Sequence, residues 1–396
     1  MTATHTKTAA APDAVDFLGL DALLSDEERL IRDTVRAFVR DRVLPHIGDW
    51  FEEGYLPREL GRELGRLGLL GMHLHGYECP GASAVAYGIA CMELEAGDAG
   101  VRSFASVQGS LAMFAIHRWG SGEQKRAWLP RMARGEAIGC FGLTEPDFGS
   151  NPAGMRTFAR RDGSDWVLNG TKLWITNGSI ADLAIVWANT DDGIRGFIVE
   201  KGLPGFTTSD IHKKISLRAS ITSELAFQDV RLPADAQLPL AKGLSGPLAC
   251  LSEARFGIIW GAMGAARACY ESALDYAKTR VQFDRPIGGF QITQEKLANM
   301  LLELGKGSLL ALHLGRMKDE GRLHPSQVSF GKLNNVREAL QICREARTIL
   351  GANGVTLEYP VIRHMNNLES VLTYEGTSEV HTLVIGQQIT GISAFV

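Results

Sequence analysis

A chain of 396 residues, 45% hydrophobic and 22% charged, can bury a large core, and its length points to two or three structural units rather than one. A formal charge of −4 gives no electrostatic reason to expect a nucleic-acid partner, and no apolar run is long enough to span a membrane. The six cysteines are scattered without a CxxC pair, which reads as reduced thiols in a cytoplasmic protein and not as a disulfide frame or zinc site.

Residues 1–16, "MTATHTKTAAAPDAVD", lack the basic-then-apolar order of a secretory leader and are expected to form a mobile arm. Residues 17–137 read as a helical domain. Ser25 followed by Asp26, Glu27 and Glu28 is N-cap and first-turn chemistry, and Leu30, Ile31, Val35, Phe38 and Val39 then recur at helical spacing. A Gly/Pro-rich break, "HGYECPGASAVAYG", precedes a helix expected to begin near Ser83.

The texture changes over 138–242. "WVLNGTKLWITNG", "LAIVWANT", "RGFIVEKG" and "ITSELAFQDVRLP" are short, β-branched or aromatic runs bounded by glycine, asparagine or proline, so they predict strands, with "LNGTK" as a hairpin turn. Helices return over 243–396. In "FGIIWGAMGAARACYESALDYAKTR" the small residues Gly257, Gly261, Ala265 and Ala268 make a face that another helix can approach closely. Long helices are predicted over 292–320, 325–350 and 378–390. The chain is thus α+β and multi-domain.

Several stretches carry possible chemistry. "CFGLTEPDFGSNPAG" sets the Thr144 and Ser150 hydroxyls beside glycines, which suits a phosphate or polar cofactor and equally suits an ordinary turn. In "WITNG" Trp174 could stack on a flat ring or simply fill a core. No nucleotide-binding G-x-G-x-x-G, Walker loop, HExxH or G-x-S-x-G is present. His73 and His75 form an HxH pair without further recognised metal ligands, so no metal is expected. Arg102 stands seven residues after Glu95, two turns away on one face if the helix is continuous; a buried guanidinium there would need a carboxylate from the protein or a ligand. Glu375, in "TYEGTSEV", is either a loop carboxylate or a base held over something that must lose a proton.

Taken in order, "GCFGLTEPDFGSNPAG", "LWITNG", "ARFGIIWGAMGAA", "TRVQFDRPIGGFQITQEKLANM", "LGANGVTLEYP" and "TYEGTSEVHTLVIGQ" resemble the acyl-CoA dehydrogenase family over residues 20–396. The resemblance implies an N-terminal α-helical domain, a middle β-barrel or sandwich domain and a C-terminal four-helix bundle. It also implies bound FAD, a homotetramer, and electrons passed to an electron-transfer flavoprotein. Carried over by position, Phe141, Leu143, Thr144, Gly149 and Ser150 line the FAD, and Trp174, Ile175 and Thr176 lie beside its flavin. Arg280, Phe283 and Gln291 reach the FAD of a neighbouring subunit, and Gly351, Gly354 and Thr377 complete the cofactor contacts. Glu375 matches the base that removes the α proton of an acyl-CoA while the β hydride leaves for the flavin, and Gly376 keeps space for the substrate. Ser150 and Arg255 are also expected at the substrate. Within the family, "ELEAGDAGVRSFASVQGSL" resembles the glutaryl-CoA dehydrogenase branch, where Arg102 and Ser103 would hold a distal carboxylate and Glu95 would pair with the arginine. That implies glutaryl-CoA oxidation with decarboxylation to crotonyl-CoA. A short-chain dehydrogenase or oxidase for an uncharged acyl chain, or an inactive flavin- or CoA-binding scaffold, are the alternatives.

Overall fold

The computed structural model describes residues 11–394, running as helices, then strands, then helices. Helix α1 (Asp26–Phe38) starts as its sequence dictates. The Ser25 hydroxyl accepts from the Glu28 N–H at 3.2 Å, and the Glu28 carboxylate accepts from the Ser25 N–H at 2.8 Å. Ile31, Val35, Phe38 and Val39 pack inward, whereas Leu30, expected on that stripe, faces solvent. One residue from Ile31 is about 100° around the helix, enough to leave the buried face. Helix α2 (Ala84–Gly97) is capped by Ser83 and buried almost throughout. Helix α3 (Ala99–Ser106) follows after Asp98, whose extended backbone (φ −167°) breaks the continuous helix that the Glu95 and Arg102 spacing assumed. Helix α4 (Gly122–Ala133) ends this region.

Seven strands form one sheet: β1 (Gly139–Gly142), β2 (Phe158–Asp162), β3 (Asp165–Thr176), β4 (Leu183–Thr190), β5 (Gly193–Glu200), β6 (Phe206–Asp210) and β7 (Thr222–Leu232). Their order is β1-β4-β2-β3-β7-β6, with β5 paired to β4. The Asn169-Gly170 pair does not turn a hairpin, as predicted, but lies inside β3 at a bulge against β7. Asn169 exchanges two hydrogen bonds with Asp229 across that bulge, donating at 3.0 Å and accepting at 2.9 Å. Gly170, at φ +143°, is so close to Thr157 that a Cβ would sit 2.5 Å from the hydroxyl oxygen. The asparagine-glycine signal therefore marked a bulge, and the turn falls earlier, at Gly163 and Ser164.

The C-terminal helices are α5 (Ser245–Thr279), α6 (Gln291–Asp319), α7 (Pro325–Leu350), α8 (Val361–Thr373) and α9 (Ser378–Thr390). Helices α5 to α8 form the bundle, and α9 lies along α7. Helix α5 also packs on α2 through the small-residue face, where Gly257 meets Tyr87 and Cys91, and Gly264 meets the Met92 carbonyl. The two helical regions thus share an interface, and the candidate site lies at it. Residues 1–10 of the expected arm lie outside the described residues; further along, the Ala14 carbonyl accepts from the Tyr270 hydroxyl at 2.9 Å. Among the described residues all six cysteines are free thiols, and no helix is long and apolar enough to cross a membrane.

Candidate active site

Glu375 sits in the four-residue link between α8 and α9, with φ +53°, and Gly376 follows at φ +101°. Two successive left-handed residues, one of them not glycine, are strained backbone that the surroundings must hold. Helix α8 supplies one anchor, since the Tyr374 N–H donates to the Ser370 carbonyl at 2.9 Å. Thr377 supplies the other: its hydroxyl caps α9 by accepting from the Val380 N–H at 3.3 Å. Between these anchors, Arg255 of α5 donates from Nε to the Glu375 carbonyl at 2.6 Å. Lys332 of α7 donates from Nζ to the carbonyls of Tyr374 at 2.9 Å and Gly376 at 2.7 Å.

The Glu375 side chain has a different environment. Its Oε2 is buried without a hydrogen-bond partner among the described residues. Burial pushes its carboxyl above the usual range, and the charges of Arg102, Arg255 and Lys332 only partly oppose that shift. A carboxylate that is held in place, desolvated and unpaired is a stronger base than one in water.

Arg102, 1% exposed, donates from Nε to Glu95 Oε2 at 2.6 Å and from Nη2 to the Tyr374 hydroxyl. The pair forms despite the break at Asp98, because α2 and α3 still turn both side chains toward α5. Space for it comes from Gly261: a Cβ there would lie 2.1 Å from Glu95 Oε2 and 3.2 Å from Arg102 Nε. Part of the glycine face read as a helix contact therefore accommodates an ion pair. Burial raises the Glu95 carboxyl, with Arg102 opposing, and Glu95 Oε1 has no partner among the described residues. Burial pushes the Tyr374 phenol up to about 12, and the Ser103 hydroxyl lies within bonding reach of it. Arg102, Ser103, Glu95, Arg255, Gly376 and Glu375 are thus brought into one neighbourhood.

Gly376 also has a reason within the chain itself. A Cβ there would meet His381 Nε2 at 2.9 Å and Arg255 Nη2 at 3.2 Å, so packing under the loop and the positive φ require glycine. Tyr374, Lys332 and His381 escaped the sequence reading. Tyr374 could have been suspected as a phenol next to Glu375. Lys332, some forty residues upstream inside an ordinary helical pattern, gave no local signal.

The cofactor-loop candidates fall into two groups. In the first, the Leu173 N–H donates to the Thr144 carbonyl at 2.9 Å, which sets Phe141, Leu143 and Thr144 beside Trp174, Ile175 and Thr176. Lys172 secures this junction, donating to the Leu143 carbonyl at 3.0 Å and to Glu145 at 2.8 Å. Trp174 is 58% exposed at φ +62°, an unusual position for a large aromatic, while Ile175 beneath it is buried. Gly149 and Ser150 are exposed on the same loop. The second group is at one end of the bundle. Arg280, Phe283 and Gln291 flank the α5–α6 connection, where Phe283 is 89% exposed. Asn353, between Gly351 and Gly354, donates to the Tyr276 hydroxyl near that connection at 3.1 Å. Among the described residues no hydrogen bond joins the two groups, and no cluster of three or more His, Cys, Asp or Glu is placed to hold a metal.

Three family models match the chain in order. They are the acyl-CoA dehydrogenase N-terminal domain over residues 25–136, the middle domain over 140–230 and the C-terminal domain over 241–390. The human mitochondrial short-chain specific acyl-CoA dehydrogenase is 36% identical over 370 residues, covering 91% of this chain and 90% of the relative. Among solved structures, glutaryl-CoA dehydrogenase from Mycobacterium smegmatis matches with a TM-score of 0.96 at 68% identity, covering 97% of this chain and all 100% of its own. A second structure from that organism, of a glutaryl-CoA dehydrogenase in complex with FADH2, has 64% identity and a TM-score of 0.96, with the same coverage.

Proposed function

The chain belongs to the acyl-CoA dehydrogenase family, and on that premise we propose that it oxidises glutaryl-CoA, with Glu375 removing the α proton. The family cofactor is FAD, and the residues present fit it. Exposed Trp174 offers a flat apolar face over buried Ile175, and the hydroxyls of Thr144, Ser150 and Thr176 offer polar contacts beside it. Phe141, Leu143, Gly149 and these residues would hold the group, which when bound supplies the two-electron acceptor for the β hydride. Arg280, Phe283 and Gln291 would hold the FAD of a neighbouring subunit in a homotetramer, a role consistent with the exposure of Phe283, and Gly351, Gly354 and Thr377 would complete the cofactor contacts. The electrons pass on to an electron-transfer flavoprotein.

The α proton of a thioester is far less acidic than a carboxylic acid, so Glu375 must be made more basic and the thioester carbonyl polarised. Burial of the unpartnered Oε2 does the first. Backbone N–H groups of the strained loop are available for the second.

Substrate choice rests on one observation, the buried Arg102 guanidinium. Among the described residues the carboxylates facing Arg102, Arg255 and Lys332 are Glu95 and Glu375, so below about pH 7, where Lys332 carries its proton, one cation is in excess even with both carboxyls ionised. A carboxylate on the acyl tail supplies the missing charge, with Ser103 as a further donor, whereas an aliphatic tail leaves the excess desolvated. Oxidation of glutaryl-CoA gives glutaconyl-CoA, whose terminal carboxylate can leave as carbon dioxide to yield crotonyl-CoA. Likeness to the short-chain enzyme favours butyryl-CoA as the second reading. Anaerobic bleaching by both thioesters, with product masses, separates the two. Faster reduction by glutaryl-CoA and a crotonyl-CoA product support the proposal, and faster reduction by butyryl-CoA overturns it.

A further inference from the structure

Lys332 is 1% exposed, yet its ammonium bonds neither the Glu375 nor the Glu95 carboxylate. It bonds two backbone carbonyls, those of the residues immediately before and after Glu375, while Arg255 takes the carbonyl between them. Three consecutive carbonyls are thus drawn toward two cations from different bundle helices. In a trans peptide the N–H points opposite to the C=O of the same plane. Drawing in the Tyr374 carbonyl therefore turns the Glu375 N–H away from Lys332, and drawing in the Glu375 carbonyl turns the Gly376 N–H away from Arg255. Among the described residues neither N–H donates a hydrogen bond within the chain. The positive φ angles at Glu375 and Gly376 are the conformation this arrangement holds.

We propose that Lys332 is a positioning residue for the reaction: by tying the Tyr374 and Gly376 carbonyls to α7 it fixes the peptide planes around Glu375, aims two free N–H groups away from the bundle, and sets the direction of the Glu375 carboxyl. The proposal rests on Glu375 being the base. Lys332 also acts through its charge. Burial pushes its ammonium down to about 7, with Glu375 opposing and Arg255 and Arg102 adding to the shift. The titratable or charged groups facing it are Glu375, Arg255, Arg102 and His381, the last held neutral by burial, with its pKa down to about 3. Since Lys332 is one of the cations that restrain the Glu375 carboxyl, removing it raises that carboxyl further.

The test uses FAD-loaded wild type, Lys332→Met and Glu375→Gln, with flavin reduction by glutaryl-CoA and by butyryl-CoA followed across pH. For Lys332→Met, kcat is expected to fall about 100-fold with KM changed less than about threefold, because an interaction that orients the base matters mainly in the transition state. Its acid limb moves to higher pH. A kcat within about threefold of wild type, or a loss confined to KM or FAD content with the acid limb unmoved, overturns the proposal. If Lys332→Met does not retain FAD, Lys332→Gln is judged by the same two criteria. Glu375→Gln separates the premises. Activity in that variant removes Glu375 as base, whereas an inactive Glu375→Gln beside a normal Lys332→Met removes only the role of Lys332.

Discussion

Glu93 and Glu95 stand two residues apart on α2, both buried and both facing arginine, yet they are treated differently. Glu93 accepts four hydrogen bonds: from Arg36 at 2.9 and 3.0 Å, and from Arg267 at 2.7 Å twice. Although burial opposes it, the two arginines hold its carboxyl down to about 2. Glu95 accepts one bond, from Arg102, and burial leaves its carboxyl raised. Each of Glu95 and Glu375 keeps an oxygen, Oε1 and Oε2 respectively, that no group among the described residues satisfies. Glu93, away from the proposed substrate site, is saturated, whereas Glu95 and Glu375, at that proposed site, are not. An under-satisfied charge costs stability in the free protein and becomes useful when a ligand completes it.

The comparison is broken most severely at the proposed base. Glu375→Gln should lower kcat by about four orders of magnitude, the upper end of what a general base contributes, while acyl-CoA still binds. At the saturated end, Glu93→Ala should cost about 3–5 kcal/mol in urea unfolding, because Arg267 is left buried without its carboxylate, while kcat per folded molecule stays unchanged. Acid titration reads the same site. A carboxyl held near 2, against 4.5 in the unfolded chain, stabilises the fold fully above 4.5, and this contribution, about 3 kcal/mol, is lost as pH falls from 4.5 toward 2. Acid unfolding of Glu93→Gln should accordingly lack that component. Gly261→Ala pushes a methyl against the Glu95–Arg102 pair and should cost about 1–3 kcal/mol, with a larger loss of kcat/KM for glutaryl-CoA than for butyryl-CoA. The smallest effect has the opposite sign: Glu375→Gln, which removes a carboxyl whose charged form the fold disfavours, should raise Tm slightly near neutral pH.

Local chemistry was the legible part of this fold. Ser25 with Glu28, and Ser83, mark helix starts because a cap and its partner are only three residues apart. The order of helices, strands and helices was legible for a similar reason, since periodicity is short-range. Asn169-Gly170 misled because the residues that favour a hairpin turn also suit a bulge, and only the approach of Thr157 decides between them. The spacing of Glu95 and Arg102 suggested a pair only for a continuous helix, and the resemblance implied it; Asp98 breaks that helix, yet the short α3 restores the facing. Lys332, Tyr374 and His381 were hidden because their roles arise from three helices meeting under one loop, which no window of sequence contains.

The central claim is that Arg102 is held ready for a carboxylate. The ratio of kcat/KM for glutaryl-CoA to that for butyryl-CoA tests it, measured in wild type and in Arg102→Met with the FAD content of each verified. A ratio well above one in wild type that falls at least about 30-fold in the variant, matching roughly 2 kcal/mol or more from a buried charge pair, is the predicted result. A ratio that Arg102→Met leaves unchanged contradicts it.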